Sequence, residues 1–303
     1  MTFDSETLAQ LRRTTWVRTI IYREVIGSTN DYALRHADDP TLKLPLLVLA
    51  DRQTTGRGRG ANRWWSPPGA LLFSVLLDAS FLLPQASAER SATPRSDSND
   101  TATALPGADE QNRSTRPTGS AAGAPASSIS LVTGLAVCEA IQQLVPALAV
   151  GIKWPNDVLV DNRKLAGILV EVPPGRPDRM VIGIGINVNN QTVGATPELA
   201  RQAISLVEAA RYRFSLVDVL QSVLWQLAEH FRQLATDKSQ LAERWQQLCV
   251  LTDKRVEVRV GRHLVAGLCQ GVNDAGELLV QTADGVRVCS SGTVTRYEQQ
   301  DIR

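Results

Sequence analysis

Histidine is scarce in this chain and cysteine is scattered. The three histidines (His36, His230, His263) and the four cysteines (Cys138, Cys249, Cys269, Cys289) stand far apart. Structural zinc sites draw thiolate and imidazole ligands from short paired spacings, so the sequence offers none of that kind. Cys138 falls in an apolar, helix-like run and reads as a small core residue. Nothing in the cysteine spacing points to an oxidising compartment. Net charge is lacking as well: 32 Lys and Arg against 31 Asp and Glu leave +1, so no bulk field draws the chain to nucleic acid or to a membrane. No uninterrupted apolar stretch reaches the roughly 20 residues of a membrane helix. Residues 1–18 lack the apolar heart of a signal peptide. These absences lead to the expectation of a soluble, cytoplasmic protein. Its 303 residues suffice for one large domain or two smaller ones.

One segment is poor in large apolar side chains. Over 84–128 the chain is nearly all Ala, Ser, Thr, Pro, Gly, Asp, Asn, Glu, Gln and Arg, and Leu105 is its single large aliphatic residue. Such a stretch buries too little apolar area to offset the entropy of ordering it, which predicts a disordered insertion interrupting one domain. What flanks it is richer. Residues 44–51 (LPLLVLAD) and 70–77 (ALLFSVLL) are short apolar runs of the buried-strand type. Residues 129–144 carry apolar side chains at helical spacing behind Ser127 and Ser128, either of which suits a cap. Residues 151–154 and 158–160 read as strand pieces, Asp161-Asn162 as a tight turn, and 164–172 (KLAGILVEV) as the returning strand. A further strand is expected over 180–188, and helices over 197–206 and 216–249, the last carrying Trp225 and Trp245. Beyond residue 250 the chain breaks into short alternating runs separated by Gly- and Asp-containing turns, the pattern of a small antiparallel barrel.

Three clusters carry chemistry. Gln53 leads into Thr54-Thr55-Gly56-Arg57-Gly58-Arg59-Gly60, with Trp64 soon after. The glycines free the backbone to wrap an anion, the guanidiniums suit phosphate or carboxylate, and the indole offers a flat face to a ring. Taken alone, the loop fits a solvated Gly-Arg arm of the nucleic-acid-binding kind equally well. It is not a Walker loop, because no Gly-Lys-Ser/Thr runs on into a helix, and Gly183-Ile184-Gly185 lacks the third glycine of a dinucleotide fingerprint. The second cluster is Lys153-Trp154-Pro155-Asn156-Asp157 with Lys164, Gly167 and Glu171 beyond it. It puts two lysines and an aspartate in one hairpin, where an ammonium faces either water or a bound anion. Asn156-Asp157 is equally a plain turn. The third, Ser28-Thr29-Asn30, reads either as a helix cap or as a set of polar ligand contacts.

In this order and at these spacings the segments resemble the catalytic domain of the biotin–protein ligases. The likeness rests on Ser28-Thr29-Asn30, on Gln53 with GRGRG and Trp64, on KWPND at 153–157, on RKLAGILVE at 163–171 and on GIGINVN at 183–189, and covers most of 20–190 outside the insertion. It implies an α+β fold over 1–250, a mixed, largely antiparallel sheet flanked by helices and related to class II aminoacyl-tRNA synthetases. A C-terminal SH3-like β-barrel over 251–303 would follow. The implied reaction activates biotin with ATP to biotinyl-AMP and passes biotin to a lysine of a biotin carboxyl carrier domain. Ser28, Thr29, Asn30, Gln53, Arg57, Gly58, Arg59, Lys164 and Gly167 then match biotin-binding positions. Arg57, Arg59, Trp64, Lys153, Asn156 and Asn187 match ATP and adenylate positions, with Lys164, Arg59 and Lys153 as the catalytic charges. Magnesium would accompany ATP, with Asp157 as its candidate contact. Lipoate–protein ligases run the same chemistry on a related fold, and the pairing of KWPND with GRGRG favours biotin. Bifunctional members carry an N-terminal winged helix. About twenty residues precede the first matching segment here, short of a DNA-binding domain, so no nucleic-acid partner is expected. The resemblance leaves monomer and homodimer open.

Overall fold

In the computed structural model, residues 3–82, 126–191, 196–236 and 239–298 are described. Seven strands form a large sheet: β1 (Thr19–Ile26), β2 (Leu46–Gln53), β3 (Leu71–Asp78), β4 (Val150–Lys153), β5 (Asp157–Val160), β6 (Arg163–Glu171) and β7 (Arg179–Ile186). Their spatial order is β1-β2-β3-β7-β6-β5-β4. Only β1 and β2 run parallel; the other pairs are antiparallel. The expected mixed, largely antiparallel sheet is therefore present. Asp161 and Asn162 both take positive φ, 50° and 58°, the geometry of a two-residue hairpin turn whose twist matches its strands.

The two faces of this sheet have different covers. Leu47, Leu49, Phe73, Val75, Ile182 and Ile184 point to one side, where helix α3 (Ala126–Leu144) packs with α6 (Leu216–Thr236) against it. α3 is buried without a break from Ser128 to Cys138, as a central helix must be. On the opposite face α2 (Thr29–Arg35) covers Leu46, Val48, Leu76 and Val181. Beyond α2 this second face carries glycines in place of apolar bulk, and there the cleft opens. Helix α1 (Ser5–Thr14) precedes β1, and α4 (Pro197–Gln202), α5 (Leu206–Ala210) and α7 (Ser239–Leu248) complete the α-helices among the described residues.

Several expectations need correction. The insertion expected over 84–128 lies outside the described residues as far as 125, but Ala126–Ser128 are described and helical. Ser128 is not a cap: it is buried inside α3 and donates from Oγ to Ala275 O at 2.7 Å. The helix expected over 197–206 breaks at Ala203, because Ile204 N–H turns to Lys164 O at 3.0 Å and Ser205 with Glu208 forms a capping box that starts α5. The helix expected over 216–249 is divided into α6 and α7, with 237–238 outside the described residues. Trp245 is buried in the core, whereas Trp225 is 61% exposed. The sequence reading missed β1, a half-buried edge strand whose Arg23 and Glu24 interrupt its apolar run.

The C-terminal residues form a second, five-stranded antiparallel sheet from β8 (Arg255–Val260), β9 (His263–Val272), β10 (Leu278–Thr282), β11 (Gly285–Cys289) and β12 (Thr293–Tyr297), in the order β11-β10-β9-β8-β12. The β9–β10 turn holds it to the rest of the fold. Trp154 donates its indole N–H to Gly276 O at 3.1 Å, and Ser128 holds Ala275 O. Gly276 has φ +77°, and a Cβ there would crowd the Ser128 backbone at 3.1 Å, so this contact requires glycine.

Candidate active site

Strand register builds the floor of the cleft. Reading across the sheet, Ser74, Gly183 and Leu169 form one row on β3, β7 and β6. The next row runs Leu72, Gly185, Gly167, Asp157 and Lys153 over β3, β7, β6, β5 and β4. Directly paired residues share a face, so Asp157 and Lys153 stand on the same floor as the glycines. Lys164 reaches that face through a register shift. Asp157 pairs Gly167 but Leu159 pairs Lys164, so β6 carries one residue more than β5 between the two pairs. The bulge turns Lys164 onto the face of Asp157, which its spacing from Gly167 would otherwise deny it. Its Nζ then lies 2.6 Å from Asp157 Oδ1, an ion contact without good hydrogen-bond angles.

Over Gly183 the cleft is polar and internally bonded. Ser28 caps α2, its Oγ accepting from Asp31 N–H at 3.3 Å, so Thr29 and Asn30 enter the first helical turn, buried. Gln53 Oε1 accepts from Thr29 N–H at 2.7 Å and lies 3.1 Å from Thr29 Oγ1. Ser74, fully buried on β3, lies 2.6 Å from Asn30 Oδ1 and 2.8 Å from Thr29 Oγ1. With one proton it donates to Asn30 and is left to accept from Thr29. Asn30 in turn donates to Leu169 O at 3.2 Å and Glu171 Oε2 at 2.8 Å. A Cβ on Gly183 would sit 1.9 Å from Asn30 Oδ1, so only glycine admits this arrangement. Glu171 also takes a bidentate bond from Arg57 at 2.9 and 2.5 Å, while Arg57 Nε lies 2.7 Å from Asp31. That anchors the Gly-Arg loop to both α2 and β6.

Over Gly185 the cleft is aromatic and cationic. The loop closes on itself as a short hairpin, with Gly58 N–H bonded to Asn62 O at 2.8 Å and Trp64 N–H to Gly56 O at 3.0 Å. This lays the Trp64 indole on the glycine row: a Cβ on Gly185 would meet the ring at 2.5 Å, one on Gly167 at 2.9 Å. Lys164 Nζ stands 5.5 Å from the ring centroid, within cation–π range. Trp64 Nε1 is buried with no protein partner, a donor that folding alone leaves orphaned. Burial pushes the Lys153 ammonium below its ordinary value; Asp157 opposes that shift and Lys164 adds to it. Burial likewise lowers the Arg59 guanidinium, against the pull of Asp157. Arg59 donates to Gly292 O at 2.9 Å, so the second sheet closes this end, with Thr293 and Val294 on the wall.

The residues matched to biotin, ATP and magnesium positions all line this one cleft except Asn187, which lines the adjoining cleft with Lys153, Asp157 and Lys164. Two asparagines are already engaged: Asn156 Nδ2 donates to Ile168 O at 2.8 Å and Asn187 Nδ2 to Lys164 O at 3.3 Å, each supporting the backbone of β6. Sequence reasoning missed Ser74, although a lone serine inside LLFSVLL was the available signal. It also left Asp31 unassigned. Among the described residues no three His, Cys, Asp or Glu side chains converge as metal ligands. Asp157 is held by Lys164, and Asp31 and Glu171 by Arg57. The donor set does not fit a resident metal, and no step is derived through one.

Comparison with known proteins agrees with this geometry. A profile of the biotin/lipoate A/B protein ligase family matches residues 22–89 and 115–187. The bifunctional ligase/repressor BirA of Escherichia coli is 31% identical over 267 residues, which cover 86% of this chain and 68% of that protein. A biotin–[acetyl-CoA-carboxylase] ligase of Paracoccus denitrificans is 26% identical over 272 residues, covering 88% and 96%. Among solved structures, the biotin protein ligase of Aquifex aeolicus in complex with biotin and ATP superposes with a TM-score of 0.67 at 23% identity, covering 92% of this chain and 98% of that one. The chain belongs to the biotin/lipoate A/B protein ligase family, among its biotin protein ligases, and is an ATP-dependent ligase.

Proposed function

We propose that the enzyme joins biotin to ATP as biotinyl-5′-AMP and then transfers biotin to one lysine of a biotin carboxyl carrier domain. The reading is carried by the position of Lys164. Its ammonium stands over Gly167, held by Asp157 and facing Trp64, in the same cleft as the polar pocket over Gly183. In this reading Ser28, Thr29, Asn30 and Gln53 receive the biotin head, with Arg57, Gly58 and Gly167 along its length. Trp64 takes the adenine face, with its orphaned N–H available to the ligand. Asn156 and Asn187 support the nucleotide side through the β6 backbone.

A biotin carboxylate oxygen attacks the α-phosphorus of ATP and pyrophosphate leaves. Negative charge grows on the phosphoryl oxygens, where Lys164 and Arg59 stabilise it, and Lys153 steers the triphosphate. The carrier amine then attacks the acyl carbon of the mixed anhydride, forming the amide and releasing AMP. Holding both substrates on one rigid sheet supplies much of the rate, since positioning converts a two-body reaction into one within a complex. Magnesium enters with the triphosphate, as part of that substrate. The second sheet we read as an SH3-like barrel, and the enzyme as cytoplasmic. Incubation with ATP, biotin and an apo carrier domain, followed by mass measurement of the carrier, tests the proposal. A gain of one biotinyl group is expected, and an unchanged carrier mass overturns it.

A further inference from the structure

Lys153 and Lys164 stand on the same floor but are held differently. Lys164 has a carboxylate at 2.6 Å; Lys153 forms no ion pair among the described residues. What it has is a ring. Its Nζ lies 5.0 Å from the centroid of Tyr297, and Lys254 Nζ lies 5.8 Å from the same ring. Tyr297 ends β12, in the second sheet, far in sequence from Lys153 and next to the wall residues Thr293 and Val294.

A bulge decides which side chain of β12 does this. Val294 pairs Val258, but Arg296 pairs Glu257 and Tyr297 pairs Val256. Val256 and Val258 are both buried and two apart, hence on one face of β8. An unbroken ladder would have placed Arg296 opposite Val256, on that inner face. The extra residue turns Arg296 outward, where it is exposed, and brings Tyr297 in, half-buried beside Lys153. This repeats, on the second sheet, the device that aims Lys164 in β6. An arginine in that place would have set a like charge next to Lys153; the tyrosine offers the negative face of a ring.

We infer that Tyr297 is a positioning residue for ATP activation: its ring holds the Lys153 ammonium toward the nucleotide, so that the second sheet completes the triphosphate end of the site. The inference rests on the proposed role of Lys153 as a nucleotide contact. It also gives the bulge in β12 a purpose, and joins Arg59–Gly292, at the residue just before β12, as a second tie from the second sheet to a cation of the cleft.

The test is biotin-dependent ATP–pyrophosphate exchange with the full-length enzyme and its Tyr297→Leu, Tyr297→Phe, Lys153→Ala and Lys153→Ala/Tyr297→Leu variants. Losing a partly buried cation–π contact corresponds to about a three- to tenfold rise in KM for ATP. Tyr297→Leu is expected to show that rise with kcat, the KM for biotin and Tm little changed. Tyr297→Phe keeps the ring face and should restore the wild-type KM, and adding Tyr297→Leu to Lys153→Ala should change nothing further. A purely structural tyrosine would make Leu and Phe differ in Tm rather than in KM. Should the leucine variant melt early, Tyr297→Met keeps side-chain length without a ring and is read in its place. Three results overturn the inference while leaving Lys153 its role: a wild-type KM in Tyr297→Leu beside a raised KM in Lys153→Ala, a phenylalanine variant as impaired as the leucine one, or additive effects in the double variant. A silent Lys153→Ala overturns it together with the reading of Lys153 on which it stands.

Discussion

Around Gly183 the polar side chains bond to one another: Asn30, Ser74, Thr29, Gln53 and Glu171 form a continuous network on α2, β2, β3 and β6. Two residues along the same strand, around Gly185, the contacts are of another kind. The Trp64 indole N–H has no protein partner, Lys164 rests between a carboxylate and an indole, and Lys153 rests on a tyrosine. The first region is set before any ligand arrives, and a neutral head group can exchange for little more than water there. The second holds positive charge with few committed bonds, so much of its bonding capacity is available to a phosphate chain. A buried network is costly to leave half satisfied, whereas a cation over a ring or beside a partly exposed carboxylate gives up its contact at modest cost. One sheet face thus supplies both a fitted pocket and an open one, and the methylene-free glycines of β7 separate them.

The largest test of this division is Lys164→Ala. Removing a charge aimed at the reacting phosphate should lower adenylate formation by roughly a hundred- to a thousandfold. Single-turnover measurement of biotinyl-AMP would show this with Tm held. A variant that forms adenylate at the wild-type rate would remove Lys164 from the chemistry. Next come two methyl groups placed two residues apart. Gly183→Ala strikes Asn30, and Gly185→Ala strikes the Trp64 ring. The expected outcome is a split: about tenfold or more in the KM for biotin for the first, and a similar loss in the KM for ATP for the second. If both variants weaken both substrates alike, the two regions are not separate.

The smallest effect is one of pH. Because burial lowers the Lys153 ammonium, it loses its charge at a pH below that of a free lysine, about 10.4. Affinity for ATP should therefore be full on the acid side of the lowered value and decline as pH rises through it, while affinity for biotin stays level. Lys153→Arg keeps its charge throughout and should flatten that alkaline limb. A limb that survives the arginine substitution assigns the titration elsewhere.

How far the sequence reached follows the same division. The motif order brought nearly the whole cleft into view, because glycines, arginines and lysines at fixed spacing report what a backbone and a phosphate need. The strands of the large sheet were readable wherever both faces are apolar, as in β2 and β3. The edge strand β1 was not, since one side of it is solvent and its polar residues mimic a loop. Ser74 was hidden by its surroundings: a serine in an apolar strand reads as tolerated, until α2 sets Thr29 and Asn30 above it. Tyr297 could not be found from pattern at all. Its inward direction depends on a bulge, and by strict alternation Arg296 would have taken its place. The break at Ala203 was legible in principle, in the Ser205 and Glu208 pair that starts a new helix.

The central claim is that biotin and ATP meet across Lys164, one on each side of it. ATP–pyrophosphate exchange started by biotin, with lipoate as the matched control and no carrier present, tests it most directly. The account predicts exchange with biotin, none with lipoate, and abolition of the biotin signal in Lys164→Ala. Exchange that proceeds with lipoate instead, or that needs neither acid, would contradict it.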